Sequence, residues 1–386
     1  MRASAIDDPS QLRALSRDWA DLWRRSAGPP AKHPDWIGAW WNAMGSSPAT
    51  PIGGRRRVAG VEVRGADGTL EGVAVFVRRL VLTDPGPRVR LDLMGSGEER
   101  ADEICSDYGG LLAAPGRARQ VAAAVADHLL ASSSRWDDVV LPAIDEADEA
   151  SIALGDALLE RGCTVAVRRH GASPYVTLPG SFDAYLGQLD ADRRYYARKA
   201  LRDFEKWAGG APRLVRAECD ASLAEGLSIL EKLHRERWGG DGVFRSERFT
   251  AFHREVTRRW LGGGDVRLDL SWLVAHGRPI AVLYSFVADK KLSFYQAGRA
   301  LDVPKQVRPG IVSHLAAIKR AIDEGLTEYD FLEGEAQYKQ KLMTSARQLV
   351  SIHAVRGDAR GTVLDALAGG ARAVARAVLR LRGGSA

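Results

Sequence analysis

The stretch LSFYQAGRALDVPKQVRPGIVSHLAAIKRAIDEGLTEYDFL, residues 292–332, decides the fold. Its first eight residues have the composition of a strand, and residues 327–332 have that of a second, buried strand. Between them, apolar residues recur at helical spacing over 311–324, and Gly325 supplies a stop signal. Strand, helix and strand in this order indicate an α/β protein.

Two similar strand-turn-strand patterns occur in the chain, one in each half. VAGVEVR at 58–64 turns through GADG into TLEGVAVFVRR, and SWLVAH at 271–276 turns through GRP into IAVLYSFVA. Both patterns predict β-hairpins, and each hairpin is followed, after a gap, by a predicted helix and a buried strand. The sequence therefore predicts a duplicated α/β lobe, with the boundary near residues 170–180.

Length and composition fit an ordered protein with two lobes. The chain has 386 residues, of which 45% are hydrophobic and 27% are charged. Its cysteines, Cys105, Cys163 and Cys219, are far apart and lack the spacing of a zinc site or a disulfide framework. We therefore expect neither a bound metal nor structural disulfides.

Hydropathy argues against secretion and membrane spanning. The sequence contains no apolar stretch of about 18 residues, and its start lacks the apolar segment of a signal peptide. We expect a cytoplasmic protein without stable membrane insertion.

Positive charge is concentrated in two segments. Six of the residues 193–206 are Arg or Lys, against two acids, and further arginines recur from Arg356 to Arg382. Such clusters suit CoA phosphates, tRNA or acidic lipid headgroups, and they also occur on solvated helix faces. In the tail, a frayed or lobe-packed helix is the preferred interpretation over a membrane-surface helix.

A histidine is placed beside an apolar stripe in the predicted helix over 221–238. Leu223, Leu227, Leu230, His234 and Trp238 recur there at steps of three or four. One interpretation is a hydrogen-bonded core histidine. The other is a general base at the mouth of a cleft, where a pKa near neutrality would suit deprotonation of an ammonium group.

The loop before the 311–324 helix has features of an anion site. Gln306, Arg308, Pro309 and Gly310 directly precede the helix N-terminus, where exposed N–H groups and the helix dipole favour phosphate. Gly310 would let a pyrophosphate approach closely. A Pro-Gly pair is also a common start signal of a helix that binds no ligand, and that alternative stays open.

The most distinctive segment is YDFLEGEAQYKQK, residues 329–341. Polar side chains crowd the point where a buried strand runs into a turn and a short helix, and binding groups of α/β folds gather at the carboxyl ends of strands. A capped helix start with Glu335 in its first turn is the alternative.

Four segments together carry a family resemblance. HPDWIGAWW at 33–41 is a tryptophan-rich opening, and SFDAYLGQLDADRRYYARKALRDFE at 181–205 is an Arg/Lys-rich helical segment. LHRERW at 233–238 and YDFLEGEAQYK at 329–339 complete the set, the last being the most specific. The combination resembles the CelD/BcsL-like acetyltransferase family, a branch of the GNAT acyl-CoA N-acyltransferase superfamily.

The resemblance implies tandem GNAT-like lobes, each a mixed central sheet flanked by helices. They would span residues 1–172 and 173–356, followed by a basic helical tail over 357–386. The second lobe would hold acyl-CoA between two splayed parallel strands, with the pyrophosphate on the loop 306–310. That loop departs from the family's Gln/Arg-x-x-Gly-x-Gly/Ala pattern, because Pro309 and Ile311 occupy two of its small-residue positions.

The resemblance also implies an enzyme, an acyltransferase in which an amine attacks a bound thioester directly. The base would be His234 or Glu335, and Tyr338 would be the acid or an orienting hydroxyl. Expected substrate contacts are Arg237, Trp238, Tyr295, Asp330, Glu333 and Lys339. Expected acyl-CoA contacts are Gln306, Arg308, Gly310, Ile311 and His314.

Two alternatives to an acyl-CoA enzyme remain. The paired lobes also resemble those of Fem-type aminoacyl-tRNA-dependent ligases, in which case residues 193–206 would be a tRNA surface. A long helical hairpin insertion seen in several such ligases has no evident counterpart in the sequence, so acyl-CoA is expected first. The other alternative is a non-catalytic binding protein that retains the fold. We expect a small-molecule amine as acceptor, and no DNA partner.

Overall fold

The computed structural model describes residues 1–45, 55–83, 87–131, 136–239, 242–334 and 336–357. The chain divides into two compact units. The first unit comprises Met1–Gly171 and the chain from Gln348 onward, and the second comprises Ala172–Arg347. The tail predicted over 357–386 lies outside the described residues, apart from Gly357.

The first unit is a mixed sheet with helices. Its helices are α1 (Pro9–Arg25), α2 (Pro34–Met44), α3 (Ala118–Ala131) and α4 (Glu149–Glu160). Its strands are β1 (Arg2–Ile6), β2 (Arg57–Arg64), β3 (Leu70–Leu82), β4 (Pro87–Leu93), β5 (Leu112–Ala113), β6 (Asp138–Asp145), the first part of β7 (Thr164–Thr177) and most of β13 (Ser345–Val355). The strand order is β1-β2-β3-β4-β6-β13-β7, with β5 beside β3. Strands β4 and β6 pair in parallel.

The second unit is also a mixed sheet with helices. Its helices are α5 (Phe182–Gln188), α6 (Ala191–Ala208), α7 (Asp220–Trp238), α8 (Glu247–Trp260), α9 (Pro309–Asp323) and α10 (Gln337–Leu342). Its strands are the end of β7 (Thr164–Thr177), β8 (Arg213–Arg216), β9 (Arg267–Ala275), β10 (Arg278–Ala288), β11 (Lys291–Arg299) and β12 (Glu328–Asp330). The strand order is β7-β12-β11-β10-β9-β8.

The two units repeat one order of elements, so the predicted fold class is confirmed. In each, an edge strand is followed by two helices and three antiparallel strands, and then by a helix that crosses to a parallel strand. The crossover helices are α3 and α9, and the parallel pairs are β4–β6 and β11–β12. Connections of this kind need a helix because parallel strands cannot be joined by a tight turn.

Parallel pairing in the second unit is short, and this positions the site. Strand β12 pairs with β11 only along Lys291–Ser293, whereas β11 continues to Arg299. On the other side, the register between β10 and β11 shifts at Tyr295, which has no opposite residue. Such a bulge bends its strand. The carboxyl half of β11 therefore extends beyond β12 and borders a cleft.

Close packing of α7 on β11 requires a glycine. A Cβ atom at Gly298 would lie 2.6 Å from the Cβ atom of Leu233 and 2.9 Å from the backbone nitrogen of His234. Any larger residue would push α7 away from the strand end, and with it the residues that α7 contributes to the cleft.

A buried carboxylate organises one face of the second unit's sheet. Asp269 on β9 is 1% exposed, and its Oδ1 accepts a hydrogen bond of 2.6 Å from Arg320 on α9. Its Oδ2 lies 3.2 Å from Arg216 and 3.8 Å from Arg267, and Glu324 pairs with the same arginines. The network ties α9 to β8 and β9.

Replacing Asp269 by Ala should destabilise the second unit by about 3 kcal/mol, because three arginines would lose their buried partner and keep only Glu324. Thermal unfolding followed by circular dichroism provides the measurement. The control is Asp302→Ala, which removes an exposed carboxylate paired with Arg278 and should cause no measurable change. Equal losses in the two variants would contradict the buried network.

None of the helices in the described ranges combines the length and the apolar character needed to cross a membrane.

Candidate functional site

A cleft of about 740 Å³ opens at the end of β11 in the second unit. Its walls come from α6, α7, the carboxyl end of β11, the loop into α9, the first turns of α9 and the start of α10. The volume lies in the range of pockets that bind small molecules or cofactors. The residues that line it include Tyr196, Arg237, Arg299, Lys305, Arg308, Gly310, Ile311, His314 and Tyr338.

The cleft is strongly positive. Arg237, Arg299, Lys305 and Arg308 line it, and the described lining residues include no acid. Desolvation at the cleft wall, together with the charge of Arg299, lowers the pKa of Arg237. Like charges held this close favour a bound anion that relieves their repulsion.

The amino end of α9 points into this positive region. Arg308 precedes the helix in the left-handed conformation, with φ 46° and ψ 58°, and Pro309 occupies the first turn. Pro309 removes an N–H that would have no partner inside the helix in any case, so the helix start is intact. The remaining N–H groups of the first turn and the helix dipole make this end suitable for a phosphate.

Arg308 is held in place by α6. Its guanidinium lies 4.9 Å from the ring centre of Tyr196, and Nη1 lies 3.9 Å from Oδ2 of Asp203. Among the described residues, that buried Nη1 has no hydrogen-bond partner. A non-glycine residue in the left-handed region costs free energy and is often found where a ligand binds.

A neutral histidine forms the inner wall. His314 is 2% exposed, and its Nδ1 lies 2.8 Å from the hydroxyl of Tyr329. Burial, with a smaller effect of the Lys339 charge, lowers the pKa of His314 to about 3. The ring stacks on Tyr338, with centroids 5.1 Å apart and planes 17° apart.

Tyr338 combines a cleft position with a firmly held proton. Burial raises the pKa of its hydroxyl, and the charge of Arg237 only partly offsets this. A phenol that remains protonated can donate a hydrogen bond or a proton to a group that becomes negative during a reaction. The raised pKa suits Tyr338 as an orienting hydrogen-bond donor, and its role as an acid stays a prediction.

His234 lies outside the cleft lining, on the adjoining part of α7. It is 3% exposed, and its ring packs edge-on against Phe244 at 4.9 Å. Burial, assisted by the charge of Arg237, lowers the pKa of His234 to about 4, so the ring is neutral at physiological pH. It is a weaker base than the near-neutral histidine that the sequence suggested, and its catalytic role stays a prediction.

The distinctive segment after β12 contains residues that stabilise its own turn. Asp330 accepts hydrogen bonds from Ser173 Oγ at 2.8 Å and the Leu332 N–H at 2.7 Å, and it pairs with Arg347 at 2.6 Å. Lys339 Nζ donates to the carbonyl oxygens of Leu332 at 3.1 Å and Glu333 at 2.6 Å. Asp330 and Lys339 therefore support the turn, and their predicted contacts with a substrate stay predictions.

Most of the acyl-CoA contacts predicted from the sequence lie in the cleft. Gly310 and Ile311 line the cleft with Arg308 and His314, whereas Gln306 is exposed and does not line it. Glu335 and the side chain of Trp238 lie outside the described residues. The substrate contacts predicted for Trp238 and Glu333 therefore stay predictions.

Tyr295 joins a second buried histidine instead of the cleft. Its hydroxyl lies 3.1 Å from Nε2 of His253, whose Nδ1 lies 3.0 Å from the hydroxyl of Tyr284. Burial lowers the pKa of His253 to about 3. The hydroxyl of Tyr295 thus faces α8.

Arg299, Lys305 and Tyr196 are cleft residues that the sequence prediction missed. Arg299 is the last residue of β11, a strand that the sequence predicted. Because binding groups of α/β folds gather at the carboxyl ends of strands, its position could have identified it as a candidate. Tyr196 lies inside the basic segment 193–206, whose composition indicates a charged surface and gives no signal for an aromatic contact.

Thermal stability should fall when the pH is lowered from 7 to 5. The folded-state pKa of His253 and of His314 is about 3, whereas an unfolded histidine titrates near 6.5. The unfolded state therefore binds more protons in this range, and each histidine should cost about 2 kcal/mol at pH 5.

The melting temperature between pH 5 and 7 provides the measurement. His253→Gln and His314→Gln should each show a shallower slope than the wild type, whatever their stability at pH 7. Tyr284→Phe keeps His253 buried and should retain the wild-type slope. Parallel slopes in all four proteins would contradict the assignment.

Comparisons with known proteins bear on the family of the second unit and on the fold. Residues 191–340 match the family described as acetyltransferase (GNAT) domain. The fold is similar to that of FemX, with 13% identity, a TM-score of 0.57, and coverage of 92% of this chain and 98% of that one. It is also similar to L-PGS from Bacillus licheniformis, with 13% identity, a TM-score of 0.52, and coverage of 92% and 94%.

No curated protein matches the chain in sequence. The matched segment 191–340 lies within the second unit and includes the side chains that line the cleft. The family match over residues 191–340 supports an acyltransferase.

Proposed function

We propose that the second unit transfers an acyl group from acyl-CoA to the amine of a small-molecule or peptide-like acceptor, as in the CelD/BcsL-like branch of the superfamily. One observation carries the proposal. Four cationic side chains surround the amino end of α9 where β11 extends beyond its parallel partner. CoA joins a nucleotide that carries a pyrophosphate and a further phosphate to a long, thin pantetheine arm, and cationic side chains at a helix N-terminus suit those phosphates.

Acyl-CoA would lie in the cleft in one defined orientation. Its phosphates would contact the first turn of α9 together with Arg308, Lys305 and Arg299, since N–H groups and guanidinium forks bind phosphate oxygens well. The pantetheine arm would follow the edge of β11 beyond Ser293, which β12 does not cover. The thioester would then lie near Tyr338 and His314.

Acyl transfer in this cleft needs proton movement but no covalent enzyme intermediate. The amine nitrogen attacks the thioester carbonyl carbon, a C–N bond forms, and the C–S bond breaks. The nitrogen loses a proton to a base, for which His234 and Glu335 are the proposed groups, and the departing thiolate takes a proton from Tyr338. Positioning of the two reactants supplies much of the rate gain.

Replacing Arg308 or Arg299 by Ala should weaken acetyl-CoA binding about tenfold, because each substitution removes a charged hydrogen-bond donor to phosphate. Isothermal titration calorimetry measures the change. Binding of acetylpantetheine, which lacks the nucleotide phosphates, should be the same in wild type and variants.

The control variant is Arg213→Ala, which removes an exposed arginine of β8 that does not line the cleft. Wild-type affinity of both cleft variants for acetyl-CoA would contradict the proposed donor site. Failure of the wild type to bind any acyl-CoA would favour a different donor or a non-catalytic binding protein.

Aminoacyl-tRNA is a second candidate donor, favoured by the outer face of α6. Arg198 and Arg202 are exposed four residues apart, and Tyr195 beside them is 61% exposed. Arginines interleaved with an aromatic ring suit a phosphate backbone and unpaired bases. Tyr196, on the same helix, lines the cleft, so this face adjoins the proposed reaction site.

A double variant, Arg198→Glu with Arg202→Glu, distinguishes aminoacyl-tRNA from acyl-CoA as the donor. If aminoacyl-tRNA is the donor, its binding should weaken at least about tenfold at moderate salt, since two phosphate contacts become repulsive. Acetyl-CoA binding should not change. Filter binding across a salt series is the assay, and unchanged tRNA binding would remove this candidate.

A further inference from the structure

A second cavity opens in the second unit between α7 and α8. Its volume is about 550 Å³, and it shares no lining residue with the cleft. Leu223 and Leu227 of α7 line one wall, Arg254 and Arg258 of α8 line the other, and Phe244 contributes an aromatic surface. We call this cavity the α7–α8 groove.

The groove presents a neutral surface at His253. That histidine is 4% exposed, and tyrosine hydroxyls occupy both of its ring nitrogens. With a pKa lowered to about 3 by burial, the ring carries no charge at physiological pH. Together with the apolar residues of α7, it makes a surface suited to the hydrocarbon part of a ligand.

Two acids and two arginines line the groove. Glu231 pairs with Arg235 at 2.5 Å, and Asp220 lies in the first turn of α7, where the helix dipole favours a negative charge. Within the described parts of the chain, no carboxylate forms an ion pair with Arg254 or Arg258. Because Arg235 offsets the charge of Glu231, two arginines remain against the single carboxylate of Asp220, and the net charge of the groove is positive.

The two arginines can act on a single anion. They are four residues apart on α8, so their side chains leave the helix on the same side with Cβ atoms roughly 6 Å apart. Two guanidinium forks at this spacing match the planar oxygens of one carboxylate.

We propose that the α7–α8 groove binds a small amphipathic carboxylate. The hydrocarbon part lies on Leu223, Leu227 and Phe244, and the carboxylate lies between Arg254 and Arg258. The inference stands on the groove alone and does not depend on which donor occupies the cleft.

Calorimetric titration with decanoate and decylammonium, both below their micelle concentrations, tests the proposal. Decanoate should bind saturably with one site per chain, whereas decylammonium, which has the same hydrocarbon chain and the opposite charge, should not. The double variant Arg254→Gln with Arg258→Gln should weaken decanoate binding about tenfold or more. Acetyl-CoA should bind to the variant as it does to the wild type.

Arg259→Gln is the matched control, since this exposed neighbour pairs with Glu255 at 2.9 Å and does not line the groove. It should bind decanoate with wild-type affinity. Equal binding of decylammonium, or equal loss in the control and the double variant, would overturn the proposal. A dimer in light scattering that the double variant abolishes would overturn it by assigning the groove to a second copy of the chain.

Discussion

The short pairing of two parallel strands is the constraint on which the rest of the site depends. Strand β12 follows β11 for only three residues, and β11 then continues alone to Arg299. The bulge at Tyr295 bends β11 where it leaves its partner, and Gly298 lets α7 pack directly against the strand end. As a result α7, α9 and α10 each reach the same cleft, although they are distant in sequence.

The first unit has the same topology. There β4 and β6 form the parallel pair, and α2 contributes two buried tryptophans. The indole of Trp36 donates to Ser106 Oγ at 2.8 Å, that of Trp40 donates to Glu98 at 3.0 Å, and both rings are at most 2% exposed. These two tryptophan side chains are therefore part of the packed interior of the first unit.

Sequence patterns predicted the elements better than the site. Hairpins and helices follow from local periodicity, so β10, β11 and α9 were predicted close to their observed bounds. The loop before α9 was singled out as well, because helix starts have local signals, and most of it lines the cleft. Lys339 was predicted as a substrate contact, yet it donates to two carbonyl oxygens of a turn. Tyr196 and His253 were missed because their partners lie far away in sequence, and a local pattern carries no information about such contacts.

We propose that the cleft at the end of β11 binds the activated donor through its phosphates. Hydrogen exchange measured by mass spectrometry, with and without CoA, tests it most directly. The account predicts protection of backbone amides in β11 beyond Ser293, in the loop at 300–308 and in the first turns of α9, with the first unit unchanged. Protection confined to other segments, or no protection at saturating CoA, would contradict it.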